Sequence, residues 1–160
     1  GLVGSEMCIR DSLNGEFLKR LIAEGAPEEM FEHFNVDLTA DDGLRDYGGD
    51  RVRVGLITCD EYRLLRGNIP ALPDTWWWTA TPDSPKNPYV RYVYSDGTLN
   101  VNFACYVYWG VRPLCVLKSE ILKSYLDGDM KKRAEAVDMM KHIAAAWDID
   151  AEEVFGRADE

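Results

Sequence analysis

Residues 75–117, TWWWTATPDSPKNPYVRYVYSDGTLNVNFACYVYWGVRPLCVL, decide the fold class. Four runs inside this stretch read as strands: WWWTAT, YVRYVYS, TLNVNF and GVRPLCVL. Each is rich in the aromatic and β-branched residues that suit a pleated, half-buried surface. Asp96-Gly97 separates the second run from the third and provides the positive-φ residue of a hairpin turn. Pro113 has no N–H for a ladder, which predicts an edge or bulge position. Because side chains alternate along a strand, Trp76 and Trp78 are expected on one face as structural anchors and Trp77 on the other as a candidate ligand contact. Gly110, Arg112 and Pro113 are assigned structural roles. Arg112 is expected to tie the last strand to a neighbouring loop, the Asp-rich one being a candidate.

Upstream, Leu13, Phe17, Leu18, Leu21 and Ile22 recur at helical spacing, and Gly25-Ala26-Pro27 stops that helix and starts another. A second short helix is expected over EEMFEHF, from Pro27. FNVDLTADDGLRDYGGD then reads as a short strand and a turn-rich loop, and RVRVGLI as a strand. Thr58 and Glu61 form a capping box that opens a helix running to about Leu65, and Pro70 and Pro73 break the chain after it. Downstream, Met130, Val137, Met140, Ile143, Ala144 and Trp147 make an amphipathic helical stripe. These elements predict an α+β domain: a small antiparallel sheet with two or three short helices, followed by a C-terminal amphipathic helix. Residues 13–127 are read as the domain and 128–160 as a helical tail. Residues 1–12 are set apart, because SEMCIRDS resembles the translated read-through of a sequencing-library adapter, as found in metagenomic assemblies.

The chain has 160 residues, 46% of them apolar and 29% charged, as expected for one domain. A net charge of −10 argues against nucleic acid and anionic membrane surfaces as partners, since both are bound through Lys and Arg. The cysteines Cys8, Cys59, Cys105 and Cys115 have no CxxC spacing and are read as reduced, partly buried thiols. No metal site is expected: the acidic run Asp37, Asp41, Asp42, Asp46 and Asp50 lacks the calcium-loop ladder and reads as a solvated turn. No cofactor or catalytic residue is assigned. His33 and His142 sit on expected helices without a partnering nucleophile, and Cys59, at a helix start that could lower its pKa, is the one enzymatic hint. The candidate ligand surface is the Tyr-rich segment that follows the Trp strand: Tyr89, Arg91, Tyr92, Tyr94, Asn100, Asn102, Tyr106, Tyr108 and Trp109, together with Trp77.

LNGEFL, DLTADDGL, LITCDEYRLLRGNIP, WWWTATP, VRYVYSDGTL and GVRPLCVL follow one another in a recognisable order. From Leu13 to Ser119 the chain resembles a family of uncharacterised bacterial and phage domains that carry L-N-x-x-F, a W-W-L-R-S-P-like strand, a D-G hairpin and a closing G-V-R-P. That family is similar to C-type lectin-like domains, among them the variable proteins of diversity-generating retroelements and the formylglycine-generating enzymes. The resemblance implies a lectin-like α+β fold whose late loops present a ligand surface, and a parent domain with earlier strands absent here. WWWTATP stands where many members have Leu-Arg-Ser, and the Glu-Pro-Asn and Trp-Asn-Asp signatures of calcium-dependent sugar binding are missing. The expected function is a phage- or mobile-element-associated binding domain of gut bacteria that recognises a protein or glycan. It would be cytoplasmic or virion-associated, with secretion left open by the start at Gly1. Two alternatives come from other classes: an intracellular phage accessory protein that inhibits a host system through the acidic surface and the 129–156 helical region, and a formylglycine-generating-like oxidoreductase using Cys59, Cys105 and Cys115.

Overall fold

The structure is a computed structural model and describes residues 9–26, 28–105, 110–118 and 120. Residues 1–8 and the expected 128–160 tail lie outside the described residues. The chain is helical from residue 9, passing through a π turn at Leu13–Phe17 into helix α1, Leu18–Ala23. Leu13, Leu18 and Leu21 are its buried positions. Strands follow at Phe31–Glu32 (β1), Phe34–Asp37 (β2), Gly49–Val52 (β3) and Val54–Leu56 (β4), then helix α2 at Cys59–Leu65. The late strands are Trp77–Pro82 (β5), Tyr89–Val93 (β6), Leu99–Phe103 (β7), Gly110–Val111 (β8) and Pro113–Leu117 (β9).

These elements form an α+β fold with three sheets among the described residues. β2 and β3 make an antiparallel pair, β1-β9-β4 an antiparallel sheet, and β7-β6-β5-β8 a four-stranded sheet. The last is antiparallel except at β8, which runs parallel to β5 with Trp77 opposite Gly110 and Trp78 opposite Val111. Gly110 is there because its N–H bonds the Trp76 carbonyl at 2.7 Å, and a Cβ on it would lie 3.2 Å from that same oxygen.

Several sequence expectations change. EEMFEHF is not a helix but a single 3-10 turn, Glu28–Met30, followed by β1 and β2. Phe31 pairs with Leu117 and Phe34 with Val52, so ladder partners distant in sequence override the local helical period. His33 is accordingly exposed between two strands. RVRVGLI splits at Arg53 into β3 and β4, which join different sheets. Asn14 holds that corner: its Oδ1 accepts from the N–H groups of Arg53 and Val54, both at 3.0 Å, while its Nδ2 donates to the carbonyls of Val54 at 2.8 Å and Arg10 at 3.0 Å. Pro113 is neither at a sheet edge nor in a bulge; it starts β9, the central strand of its sheet. Its missing N–H is tolerated because β1 reaches only Val116 and Leu117 on that side.

Other expectations hold in detail. Thr58 and Glu61 cap α2 reciprocally. Asp96-Gly97 makes the β6–β7 turn, closed by the Gly97 N–H on the Tyr94 carbonyl at 2.8 Å, with Gly97 at φ +84. Between Trp78 and Pro82 the β5–β6 register shifts, and two threonine hydroxyls there bond backbone groups of β6 and of the start of α2. The Thr79 hydroxyl donates to the Arg91 carbonyl at 2.8 Å, and the Thr81 hydroxyl accepts the Cys59 N–H at 2.8 Å.

Candidate functional site

Pairing in β5, β6 and β7 sorts every candidate side chain onto one of two faces. Trp77, Val93 and Leu99 share a rung, and Arg91 with Val101 and Tyr89 with Phe103 continue that face. Trp78, Tyr92 and Asn100 share the opposite one, as do Val90 and Asn102. On the first face, Trp77 and Val93 pack with Ile57 and Tyr62 in a small core under α2. On the second, Trp78, Val90 and Tyr92 join the larger core with Leu18, Val36 and Val54.

Trp77 is buried and Trp76 exposed, the reverse of the burial that the roles expected of them require. Trp77 is only 3% exposed, closed off by the edge of Tyr62 at 5.7 Å between ring centroids and by the Arg112 guanidinium 5.2 Å from its ring. Burial of the β5 face against α2 is what the alternation rule could not see, since a strand covered on both sides buries both sets of residues. Trp76, just before β5, is 36% exposed and lies over Tyr94 at 4.9 Å and Tyr92 at 6.0 Å. Trp78 is 5% exposed and edge-on to Tyr92 at 6.0 Å.

The second face thus carries a graded aromatic row running outward from Trp78 through Tyr92 to Tyr94 and Trp76. Asn100 is exposed and Asn102 half-buried on the adjoining strand β7. The Asn100 Nδ2 donates to the Thr98 hydroxyl at 3.1 Å, which orients the amide along the strand and keeps its carbonyl available. Burial pushes the Tyr92 hydroxyl pKa upward, so it stays a neutral donor at physiological pH. Tyr106, Tyr108 and Trp109 lie outside the described residues.

Arg91 and Tyr89 belong to the other face and do not join this row. Arg91 donates to Asp41 at 2.8 Å and Asp83 at 3.2 Å, and Asp41 also takes Arg63 at 3.0 Å. Arg91 and Arg63, not Arg112, are therefore the cations on Asp41 of the Asp-rich loop; Arg112 donates to the Pro70 carbonyl at 2.8 Å instead. The reason is register: Arg91 faces the side on which that loop docks through the Asp41 N–H to the Pro82 carbonyl at 2.8 Å. The remaining loop acids have local work. Asp37 accepts from the Thr39 hydroxyl and N–H, which hold its carboxyl pKa low, and Asp42 is held low first by the Ser84 side chain and then by the Leu44 N–H it accepts from. Among the described residues, no three His, Cys, Asp or Glu side chains cluster as metal ligands would.

A cleft of about 240 Å³ opens between the first helical turns, the β2–β3 pair and β5. Leu13, Val36, Val52, Trp78 and Val90 make it apolar, with Arg10 and Asp50 paired at 3.0 Å among the lining residues. It offers a ligand volume but no nucleophile with an adjoining base. Nor does Cys59 supply one. Its thiol is buried against the Thr79 hydroxyl at 3.7 Å, and desolvation drives its pKa up, opposite to the lowering expected at a helix start. Burial pushes Cys115 up to about 12, while Cys105 is exposed; all three are free thiols.

No helix among the described residues is long and apolar enough to cross a membrane. No curated protein and no solved structure matches the chain significantly. A family model described as "Domain of unknown function (DUF6273)" does match, over residues 16–119. That span begins just past Asn14, contains both sheet faces and ends beyond β9, and by it the chain belongs to the DUF6273 family.

Proposed function

We propose that this chain is a binding domain that recognises a protein or glycan through the second face of its four-stranded sheet, at Trp76, Tyr94, Asn100 and Asn102. The observation that carries the reading is the exposed Trp76 ring lying tilted against Tyr94 and stacked over Tyr92 beside the amides of β7. An indole lying on a second ring is held at little entropic cost, and neighbouring amides offer both donors and acceptors, which is the chemistry of recognition surfaces rich in Trp, Tyr and Asn. Trp78 and Tyr92 act from beneath as the rigid floor of this surface. The resemblance to lectin-like domains of phage and mobile elements agrees with a ligand surface on the late strands, and with a cytoplasmic or virion-associated role.

Binding of the whole chain to glycan and bacterial-protein arrays, followed by titration of each hit, tests this reading. Trp76→Ala and the Asn100→Ala/Asn102→Ala pair should each weaken a true ligand at least tenfold, while circular dichroism stays unchanged. Hits that both variants retain would place recognition elsewhere on the molecule.

A further inference from the structure

Arg112 is held in place by its own sequence neighbours. Val111 pairs with Trp78 in β8 and Pro113 pairs with Leu56 at the start of β9, so the residue between them is pinned from two sheets. Pro113 also keeps the residue before it extended. From that backbone the Arg112 guanidinium lies 5.2 Å from the ring of buried Trp77 and donates one N–H to the Pro70 carbonyl at 2.8 Å. Ring contact and hydrogen bond together orient a planar fork whose other N–H donors are left over.

Four arginines among the described residues are half-buried: Arg10, Arg53, Arg91 and Arg112. Arg10 pairs with Asp50 at 3.0 Å, Arg53 with Glu28 at 2.9 Å and Arg91 with Asp41 at 2.8 Å. Arg112 departs from this pattern: among the described residues no Asp or Glu pairs with it, in a chain with 28 acidic residues. Burial pulls its pKa down, and Tyr62 rather than a carboxylate opposes that. A part-desolvated guanidinium without a counter-charge is costly, and an anion arriving from outside removes that cost. The spare donors reach solvent, since the buried side-chain nitrogen without a partner among the described residues is Arg91 Nε and none of Arg112.

The surroundings select the kind of anion. Ile69, Leu72 and Leu114 pack, partly buried, against the cluster that holds Trp77, so a ligand finds carbon to touch beside the charge. A single planar fork matches the two oxygens of a carboxylate. A phosphate dianion would meet greater repulsion from a chain of net −10. Arg66 adds a second cation to the same aromatic pair, 5.7 Å from the Tyr62 ring, and Asp96, which it helps to hold low, is already bonded to Thr98. We propose that Arg112 is a binding site for an organic carboxylate, held by paired hydrogen bonds from the guanidinium above Trp77 with its apolar carbon against Leu114 and Ile69. The site is on the first face of the sheet, opposite the Trp76 surface.

Titration of the full chain with butyrate at constant ionic strength, followed in a proton–nitrogen correlation spectrum, tests the proposal. The Arg112 Nε–H and Trp77 indole N–H resonances should shift saturably with a Kd of about 1–10 mM. Butyramide, of the same shape without the charge, should leave them in place, and inorganic phosphate should bind more weakly than butyrate. Arg112→Lys, which keeps the charge and loses the fork, should weaken butyrate at least tenfold on the Trp77 resonance. If that variant fails to fold, the contrast of butyrate with butyramide on the wild-type chain decides. No saturable shift up to about 0.1 M butyrate would overturn the proposal, as would an equal response to butyramide, tighter binding of phosphate or undiminished binding in Arg112→Lys. Ligand binding at Trp76 is read separately and does not depend on this outcome.

Discussion

Asn14 is the side chain that holds the β3–β4 corner. Its amide makes four hydrogen bonds, three of them to the β3–β4 corner. Asn14→Ala leaves two N–H groups and a carbonyl of that corner unpaired, and chemical denaturation should register a loss of about 2–3 kcal/mol. This residue was visible in the sequence only as part of LNGEFL; nothing local reveals that an amide on a helix will reach a strand 40 residues away. Asp96 was easier to read. Its carboxylate takes the Thr98 hydroxyl and N–H, which hold its pKa below the ordinary 3.8. The unfolded chain therefore binds a proton there first, so the contribution is complete above about pH 4 and disappears as pH falls through the lower folded value. Asp96→Asn should flatten the acid limb of a stability–pH curve by lowering its neutral plateau toward the low-pH value. The thiols should divide by burial. Burial pushes the Cys115 thiol up to about 12, so it stays protonated and unreactive at pH 8. Mass mapping after brief alkylation should find Cys105 labelled well before Cys59 or Cys115.

Helix α2 and the β6–β7 hairpin are the elements whose local chemistry is most complete, and both were legible. The Thr58–Glu61 box and the Asp96-Gly97 turn need only neighbours within four residues, so sequence spacing determines them. Thr58→Ala should cost about 1 kcal/mol. Gly97→Ala should cost about 1–2 kcal/mol, because an L side chain at φ +84 is strained and its Cβ would also sit 3.1 Å from the Arg66 guanidinium. Thermal melts of the two variants check both values. EEMFEHF misled because its helical period is real but its partners, Leu117 and Val52, are far away in the chain. Pro113 misled for a related reason: whether a strand-start proline needs a donor depends on how far its neighbour strand extends, a tertiary fact.

Across the whole molecule, the Trp-rich and Gly-Val-Arg-Pro stretches do form the β5–β8 contact at the heart of an α+β fold. Alternation separated Trp76 from Trp77 correctly but did not say which side was covered. That was decided by α2 packing on one face and by the helix and β2–β3 on the other, a property of three-dimensional assembly. The candidate surface was legible as a set of residues and not as a patch: register sends Tyr89 and Arg91 to one face and Tyr92, Tyr94, Asn100 and Asn102 to the other. The second of these faces is the proposed ligand surface. Titrating an array-identified ligand into wild-type chain, Trp76→Ala and Thr58→Ala, with tryptophan fluorescence as the readout, tests it most directly. The account predicts saturable binding by wild type and Thr58→Ala at 25 °C and at least a tenfold loss in Trp76→Ala; equal affinity in all three would contradict it.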